Sequence, residues 1–101
     1  MHVITKKRII DFIKKRPDSE TSLLIWNKIM TEEKFLSFHS LKKKFKAVDY
    51  VDGIYVFNIC GNKYRLIAAI HFDTGTVFIL FILTHVEYET NKWKTLLGVK
   101  K

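Results

Sequence analysis

The chain has 101 residues, which fits one domain over residues 1–101 and leaves little room for a second. Hydrophobic residues make up 48% of the chain and aromatic residues 14%, enough to fill a core, so the composition excludes a disordered protein. Lysine and arginine number 18 against 10 acidic residues, a formal net charge of +8. This excess favours a polyanionic partner, and we rank nucleic acid first, an acidic protein second and a membrane surface third.

The sequence contains no sign of a disulfide, a metal site, a cofactor or a membrane segment. Cys60 is the single cysteine, which excludes an intrachain disulfide and a thiolate metal cluster. His2, His39 and His71 show no ligand spacing with any cysteine or carboxylate. The N-terminus lacks an apolar signal core, and the longest apolar stretch, Val77–Leu83, is shorter than the roughly 20 residues of a membrane-spanning helix. We therefore predict a cytoplasmic protein without metal or cofactor.

The first half of the chain predicts a short strand followed by helices. His2–Thr5 is short and β-branched, as in a strand. Residues 6–16 place isoleucines on one helical face and basic residues mostly on the other. Pro17 ends this helix, because the residue before a proline disfavours helical backbone. Asp18 or Ser19 then caps a second helix.

The second and third helices carry apolar residues at the three-to-four spacing of a face that packs on a core. In the second helix these residues are Leu23, Trp26, Ile29 and Met30. The third helix starts near Ser37 and turns Phe38, Leu41 and Phe45 inward. Four lysines would then project toward solvent: Lys42, Lys43, Lys44 and Lys46.

The second half of the chain predicts an antiparallel meander of three strands. The strands cover residues 55–60, 63–72 and 76–84. Asp52-Gly53 is a turn signal before the first strand, and Gly61-Asn62 suits a two-residue hairpin because glycine readily adopts a positive φ. Asp73-Thr74-Gly75 forms the next turn.

The C-terminal segment, 87–101, is polar and basic, with Trp93 and Leu96-Leu97 as anchors against the body. Together the elements predict an α+β fold. Its small, twisted, antiparallel sheet combines the C-terminal meander with the short N-terminal strand, and two to three helices pack on one face.

Alternation along the first hairpin separates its side chains onto two faces. A tight turn at Gly61-Asn62 sets Asn58 opposite Arg65 and Cys60 opposite Lys63, all on one face. Four apolar or aromatic residues fall on the other face: Phe57, Ile59, Tyr64 and Leu66. The second face is then the helix-covered core, and the first is an open concave face.

The next hairpin decides where His85 points. A three-residue turn through Asp73, Thr74 and Gly75 sets Lys63 opposite His85. Arg65 is then the next residue of its strand on the same face, one position further into the sheet. A two-residue turn would send His85 to the core face. Gly75 in a left-handed conformation favours the three-residue form.

Several short pieces of this sequence together resemble one family. They are Tyr55-Val56-Phe57-Asn58-Ile59, Gly61-Asn62, Arg65-Leu66 and Thr84-His85-x-Glu87-Tyr88, and His2-Val3-Ile4-Thr5 and Ser40-Leu41-Lys42 fit too. The chain resembles the HigB family of bacterial type II toxins, which belongs to the RelE-like toxins. The fold that this implies, a small sheet with helices on one face, agrees with the pattern above. Glu89 stands where aspartate is commoner; because a carboxylate is retained, we expect little consequence.

The resemblance implies an endoribonuclease that cleaves messenger RNA without metal, usually on the translating ribosome. It also implies a neighbouring HigA-type antitoxin with a helix-turn-helix domain, which neutralises the toxin by tight binding.

Metal-independent RNA cleavage needs a base for the 2′-hydroxyl, a cation for the transition state and an acid for the 5′-oxygen. We assign transition-state stabilisation to Arg65, acid or base work to His85, and orientation, proton exchange or base stacking to Tyr88. Nearby cations would have to lower the pKa of Tyr88 for proton exchange. We assign substrate binding to the following residues: Asn58, Asn62, Lys63, Lys42 and Lys43.

Each of these residues also has a structural interpretation. His85 can end a strand and hydrogen-bond to a backbone carbonyl. Tyr88 can pack as an amphipathic ring at the rim of the sheet, and Arg65 can be a surface ion-pair partner. The lysines are more often a solvated helix face than an RNA site. The rival function is therefore a non-catalytic basic module that binds RNA or an acidic peptide.

Overall fold

A five-stranded sheet forms the centre of the structure, a computed structural model that describes residues 1–96. Its strands are β1 (His2–Ile4), β2 (Asp49–Val51), β3 (Ile54–Ile59), β4 (Tyr64–His71) and β5 (Thr76–Thr84). Their order in the sheet is β1-β5-β4-β3-β2. The pairing of β1 with β5 is parallel and the other three pairings are antiparallel, so the sheet is mixed. The predicted α+β class is confirmed.

Helices lie on both faces of this sheet. They are α1 (Lys7–Lys15), α2 (Glu20–Glu32), α3 (Phe38–Lys44), α4 (His85–Glu89) and α5 (Lys92–Leu96), with a 3₁₀ turn at Pro17–Ser19 between α1 and α2. The first three helices match the predicted ones. The short helices α4 and α5 were not predicted, because a polar segment of this length has too few apolar residues to show a helical period. In residues 1–96, no helix is long and apolar enough to cross a membrane.

The two helix starts differ in their capping. At α3, Ser37 and Ser40 each accept a hydrogen bond from the other's backbone N–H, which confirms the predicted start. At α2, Ser19 occupies the cap position but donates its hydroxyl to the Arg16 carbonyl instead. The predicted side-chain cap of α2 is therefore wrong. The Asp18 carboxylate accepts hydrogen bonds from Lys63 and Tyr64 instead.

The face of the sheet covered by α1 to α3 holds the main core, as predicted. Phe57, Ile59, Tyr64 and Leu66 are all buried there. From the helices, Leu23, Trp26, Met30 and Leu41 pack against them. Burial of these side chains stabilises each by roughly 1.5–3 kcal/mol, which fixes the helices on this face.

One strand, β2, was missed by the sequence pattern. It pairs with β3 through Val51 and Ile54, with Asp52-Gly53 as a two-residue hairpin turn. Both turn residues have positive φ, +49° at Asp52 and +88° at Gly53, as the favoured hairpin turns require. Asp52-Gly53 is a turn signal in the sequence, but the strand before it, β2, has only three residues, too few to show the alternation of a strand.

The opposite face of the sheet is not fully open, which corrects the prediction. Trp93 of α5 is only 3% exposed and covers Val56 and Ile67, which are likewise buried. Leu96 is 75% exposed and is no anchor, whereas Trp93 is one as predicted. Leu97 lies outside the described residues. The end of this face near the β3–β4 turn is left uncovered, and so is its opposite end, where His71 is exposed.

The β4–β5 hairpin has the predicted register at Lys63 and His85, although its turn differs from the predicted one. Thr76 pairs with His71, so the turn is one residue off the expected pairing. A β-bulge then adds Leu80 to β5, since Ala68 pairs with Ile79 and Ile67 with Phe81. The two differences cancel. Lys63 therefore meets His85, whose backbone N–H donates to the Lys63 carbonyl at 3.0 Å.

Candidate active site

Arg65, His85 and Tyr88 come together at the uncovered end of the sheet near the β3–β4 turn. Arg65 projects from β4 on the same face as Ile67, away from α1 to α3. Its Nη2 lies 3.2 Å from His85 Nδ1, and its Cζ lies 5.6 Å from the centre of the Tyr88 ring. The three residues assigned to catalysis thus form one cluster.

Backbone carbonyls fix the direction of the Arg65 guanidinium. Its Nη1 donates to the carbonyl of Asn62 at 3.0 Å and to that of Tyr64 at 3.2 Å. A guanidinium carries its charge throughout the physiological pH range and has donors only. Held in this way, Arg65 presents a positive charge and a planar set of N–H groups to an anion.

His85 is the first residue of α4, and a capping box sets its position. Thr84 accepts from the backbone N–H of Glu87 at 3.2 Å, and the Glu87 carboxylate accepts from that of Thr84 at 2.9 Å. Because Arg65 can only donate, the neutral ring of His85 accepts at Nδ1 and carries its proton at Nε2. This Nε2 lies 3.4 Å from the Glu89 carboxylate.

Glu89 is a member of the cluster that the sequence analysis passed over. It was treated as a departure of little consequence, yet it faces His85 four residues earlier on α4. An i,i+4 pair is a recognisable signal, but it depends on knowing that the segment is helical. A carboxylate against Nε2 holds the imidazole in one tautomer and one orientation.

Tyr88 packs between the sheet and α5. Its ring stacks on Trp93 with centroids 5.3 Å apart, and Trp93 Nε1 donates to the Tyr88 carbonyl at 2.9 Å. Burial raises the pKa of the phenol above 10.0, and the negative charge of Asp49 adds to this, while Arg65 acts in the opposite direction. The net shift is upward, so Arg65 does not lower this pKa below its ordinary value, the condition named above for proton exchange. At neutral pH the phenol is protonated and can donate a proton or stack.

Asn58 and Asn62 border the cluster. Asn58 pairs with Arg65 across the β3–β4 ladder, as predicted, and donates from Nδ2 to the Asn62 Oδ1 at 3.1 Å. Both side chains are exposed. They offer amide donors and acceptors to a ligand beside the Arg65 guanidinium.

The predicted lysines are not all in the same surroundings. The Lys63 ammonium pairs with the Asp18 carboxylate and so does not join Arg65 as predicted. Lys42 donates to the Val48 carbonyl at 2.8 Å. Lys43 is exposed on α3. Lys46, which belongs to the same lysine group, lines a cavity of about 190 Å³ together with Asn58.

Within residues 1–96, no group of three or more histidine, cysteine, aspartate or glutamate side chains is arranged to hold a metal ion.

Comparison with known proteins identifies the family of the chain. Residues 19–91 match the model of a family described as HigB_toxin, the RelE-like toxic component of a toxin–antitoxin system. The chain is 35% identical to "mRNA interferase toxin HigB" of Escherichia coli (strain K12) and to "mRNA interferase HigB" of Shigella flexneri, over 88% of each chain. It is 28% identical to "mRNA interferase HigB" of Escherichia coli O6:H1, covering 88% of this chain and 89% of that protein. On this similarity, which spans the strands and the α4 helix that carry the cluster, the chain belongs to the HigB family of RelE-like toxins of toxin–antitoxin systems.

Proposed function

We propose that this toxin is a metal-independent endoribonuclease that cleaves messenger RNA on the translating ribosome. The observation that carries the proposal is the cluster of a fixed guanidinium, an imidazole 3.2 Å away and a protonated phenol against the same guanidinium. The mRNA interferase names of relatives that are 35% identical support the same activity. The net charge of +8 supports binding to an RNA phosphate backbone.

The proposed reaction is an internal transesterification. The unprotonated Nδ1 of His85 removes the proton from a 2′-hydroxyl that takes the place of Arg65 Nη2 against this nitrogen, and the 2′-oxygen attacks the adjacent phosphorus while the bond to the 5′-oxygen breaks. Arg65 stabilises the negative charge of the phosphorane-like transition state. Tyr88, which is protonated at neutral pH, donates its proton to the leaving 5′-oxygen. The raised pKa makes the phenol a weaker acid, but the developing alkoxide is a stronger base than a phenolate and takes the proton. The products are a 2′,3′-cyclic phosphate and a 5′-hydroxyl end.

Substrate binding is proposed for the surface around this cluster. Asn58 and Asn62 hold the nucleotides that flank the scissile phosphate, and Lys42 and Lys43 bind phosphates of the RNA further away. The pairing of Lys63 with Asp18 gives no support to a phosphate contact by Lys63. Because the proposed substrate is translated mRNA, the proposed location is the cytoplasm.

The proposed protein partner is a HigA-type antitoxin with a helix-turn-helix domain. Membership in a toxin–antitoxin family supports an antitoxin of some kind. An acidic segment of such a protein would be attracted by the basic surface and would neutralise the toxin by covering it.

The test is induced expression in bacteria of wild type, Arg65→Ala and Arg8→Ala, each with and without the neighbouring open reading frame. Arg8 is exposed on α1, so its variant loses the same charge outside the cluster. We expect growth arrest and new mRNA 5′ ends inside translated frames for wild type and Arg8→Ala. Both should be lost in Arg65→Ala and suppressed by the neighbouring gene product.

A reaction on purified ribosomes with mRNA tests the chemistry through its products. 2′,3′-Cyclic phosphate and 5′-hydroxyl ends support attack by the 2′-hydroxyl, and 3′-hydroxyl and 5′-phosphate ends, which hydrolysis by an activated water leaves, contradict it. Unchanged growth and transcripts from well-folded wild type would favour the rival function, a non-catalytic module that binds RNA or an acidic peptide.

A further inference from the structure

We propose that Asp18 is a positioning residue that anchors the β3–β4 turn and, through it, sets the relative placement of Arg65 and His85. This inference rests on the proposed nuclease function. Asp18 lies in the 3₁₀ turn between α1 and α2, more than forty residues away in sequence from the hairpin that it contacts.

Three side chains of the turn converge on this one residue. The Asp18 carboxylate accepts hydrogen bonds from Lys63 Nζ and from Tyr64 Oη, the latter at 2.7 Å. The Cys60 thiol donates to the Asp18 backbone carbonyl at 3.6 Å. Both ends of the turn are thus tied to the same point on the helical layer.

The backbone conformation of the β3–β4 turn needs contacts with residues outside the turn to hold it. Its backbone has positive φ at two successive residues, +54° at Cys60 and +66° at Gly61. A positive φ is costly for a residue with a side chain, such as cysteine, and is kept only where the surroundings enforce it. Asp18 supplies contacts on both sides of this segment.

The same turn holds the two catalytic groups by their backbone contacts. The Lys63 carbonyl accepts the His85 backbone N–H at 3.0 Å. The carbonyls of Asn62 and Tyr64 accept from Arg65 Nη1. A shift of residues 62–64 would therefore move the guanidinium and the start of α4 together. Misplacement by about 1 Å can slow a reaction on the order of 100-fold.

If the Lys63–Asp18 ion pair only stabilised the fold, its removal would have little effect on kcat. The side chains of Lys63 and Asp18 are 62% and 43% exposed, and exposed pairs contribute little to global stability. The chain offers a matched control in the Glu33–Lys44 pair, whose side chains are 43% and 47% exposed. Asp18→Asn and Glu33→Gln each remove one negative charge, so both change the attraction for RNA equally.

The experiment compares kcat, KM and thermal stability of wild type, Asp18→Asn and Glu33→Gln on ribosome-bound mRNA. We expect Asp18→Asn to lower kcat about tenfold or more, with KM and thermal unfolding close to those of Glu33→Gln. Lys63→Met should also lower kcat, and the double variant with Asp18→Asn should be no slower than the slower single variant. The proposal would be overturned if Asp18→Asn had the wild-type kcat, or if its activity fell only in proportion to the fraction of unfolded protein.

An NMR titration of the His85 ring separates this proposal from the nuclease function. Asp18→Asn should shift the His85 ring resonances, whereas Glu33→Gln should leave them in place. If wild type cleaves no RNA and the His85 signals still move in Asp18→Asn, the anchor stands and the nuclease proposal fails. If wild type cleaves and the signals do not move, the anchor is wrong and the nuclease stands.

Discussion

Replacement of Trp93 by alanine tests whether α4 and α5 are a cooperative part of the fold. Trp93 is 3% exposed, packs on Val56 and Ile67, and stacks on Tyr88 at 5.3 Å. Truncating a buried tryptophan to alanine costs about 3–5 kcal/mol through lost contacts and the void that is left. About 1 kcal/mol of this comes from the hydrogen bond between Trp93 Nε1 and the Tyr88 carbonyl.

This loss is large enough to measure by thermal unfolding. For a domain of this size, 1 kcal/mol corresponds to about 4–8 °C in Tm, so Trp93→Ala should lower the Tm by about 12 °C or more. Cleavage should also fall at temperatures where the variant is folded, because Tyr88 loses the ring and the donor that hold it. Trp93→Phe keeps an apolar ring without the donor and should cost about 1–2 kcal/mol.

Leu96→Ala is the matched control on the same helix. Leu96 is 75% exposed, so its truncation should change the free energy of unfolding by less than about 0.5 kcal/mol. A loss below about 1 kcal/mol in Trp93→Ala would refute the reasoning. It would mean that residues 85–96 detach from the sheet at little cost, and that the cluster is not held in the described geometry.

Three further predictions concern the proposed site. Tyr88→Phe should slow cleavage on the order of 100-fold if the phenol donates a proton, while an unchanged rate would make Tyr88 a stacking surface. The pKa of Asp18 lies below 3.8 through its hydrogen bonds to Lys63 and Tyr64. Its contribution to stability is thus present above pH 3.8 and lost as pH falls through the lower folded-state value. Because the pair is exposed, urea unfolding should show only a small difference between wild type and Asp18→Asn at neutral pH, and none in strong acid. Lys42→Glu with Lys43→Glu should weaken ribosome binding and flatten its salt dependence; an unaltered salt slope would argue against phosphate contacts there.

The position of His85 shows how far a hairpin can be read from sequence. Its meeting with Lys63 was predicted from a three-residue turn, yet the observed turn is offset by one residue and a bulge at Leu80 restores the register. Nothing in the local sequence marks that bulge. It places the adjacent side chains of Leu80 and Phe81 together against the apolar cluster that contains Ile67 and Trp93.

The sequence by itself determined the α+β class, the three main helices, the Asn58–Arg65 pairing and the family, because these depend on periodicity, turn residues and local motifs. Tertiary structure decided which groups share a site. Glu89 contacts His85 only where α4 forms, and Lys63 pairs with Asp18 and not with the cluster. Tyr88 stacks on Trp93, and burial raises its pKa. The Lys63–Asp18 contact joins segments far apart in the chain. The other two contacts are local, but they form only where residues 85–96 are helical and packed on the sheet, which the local sequence pattern does not show.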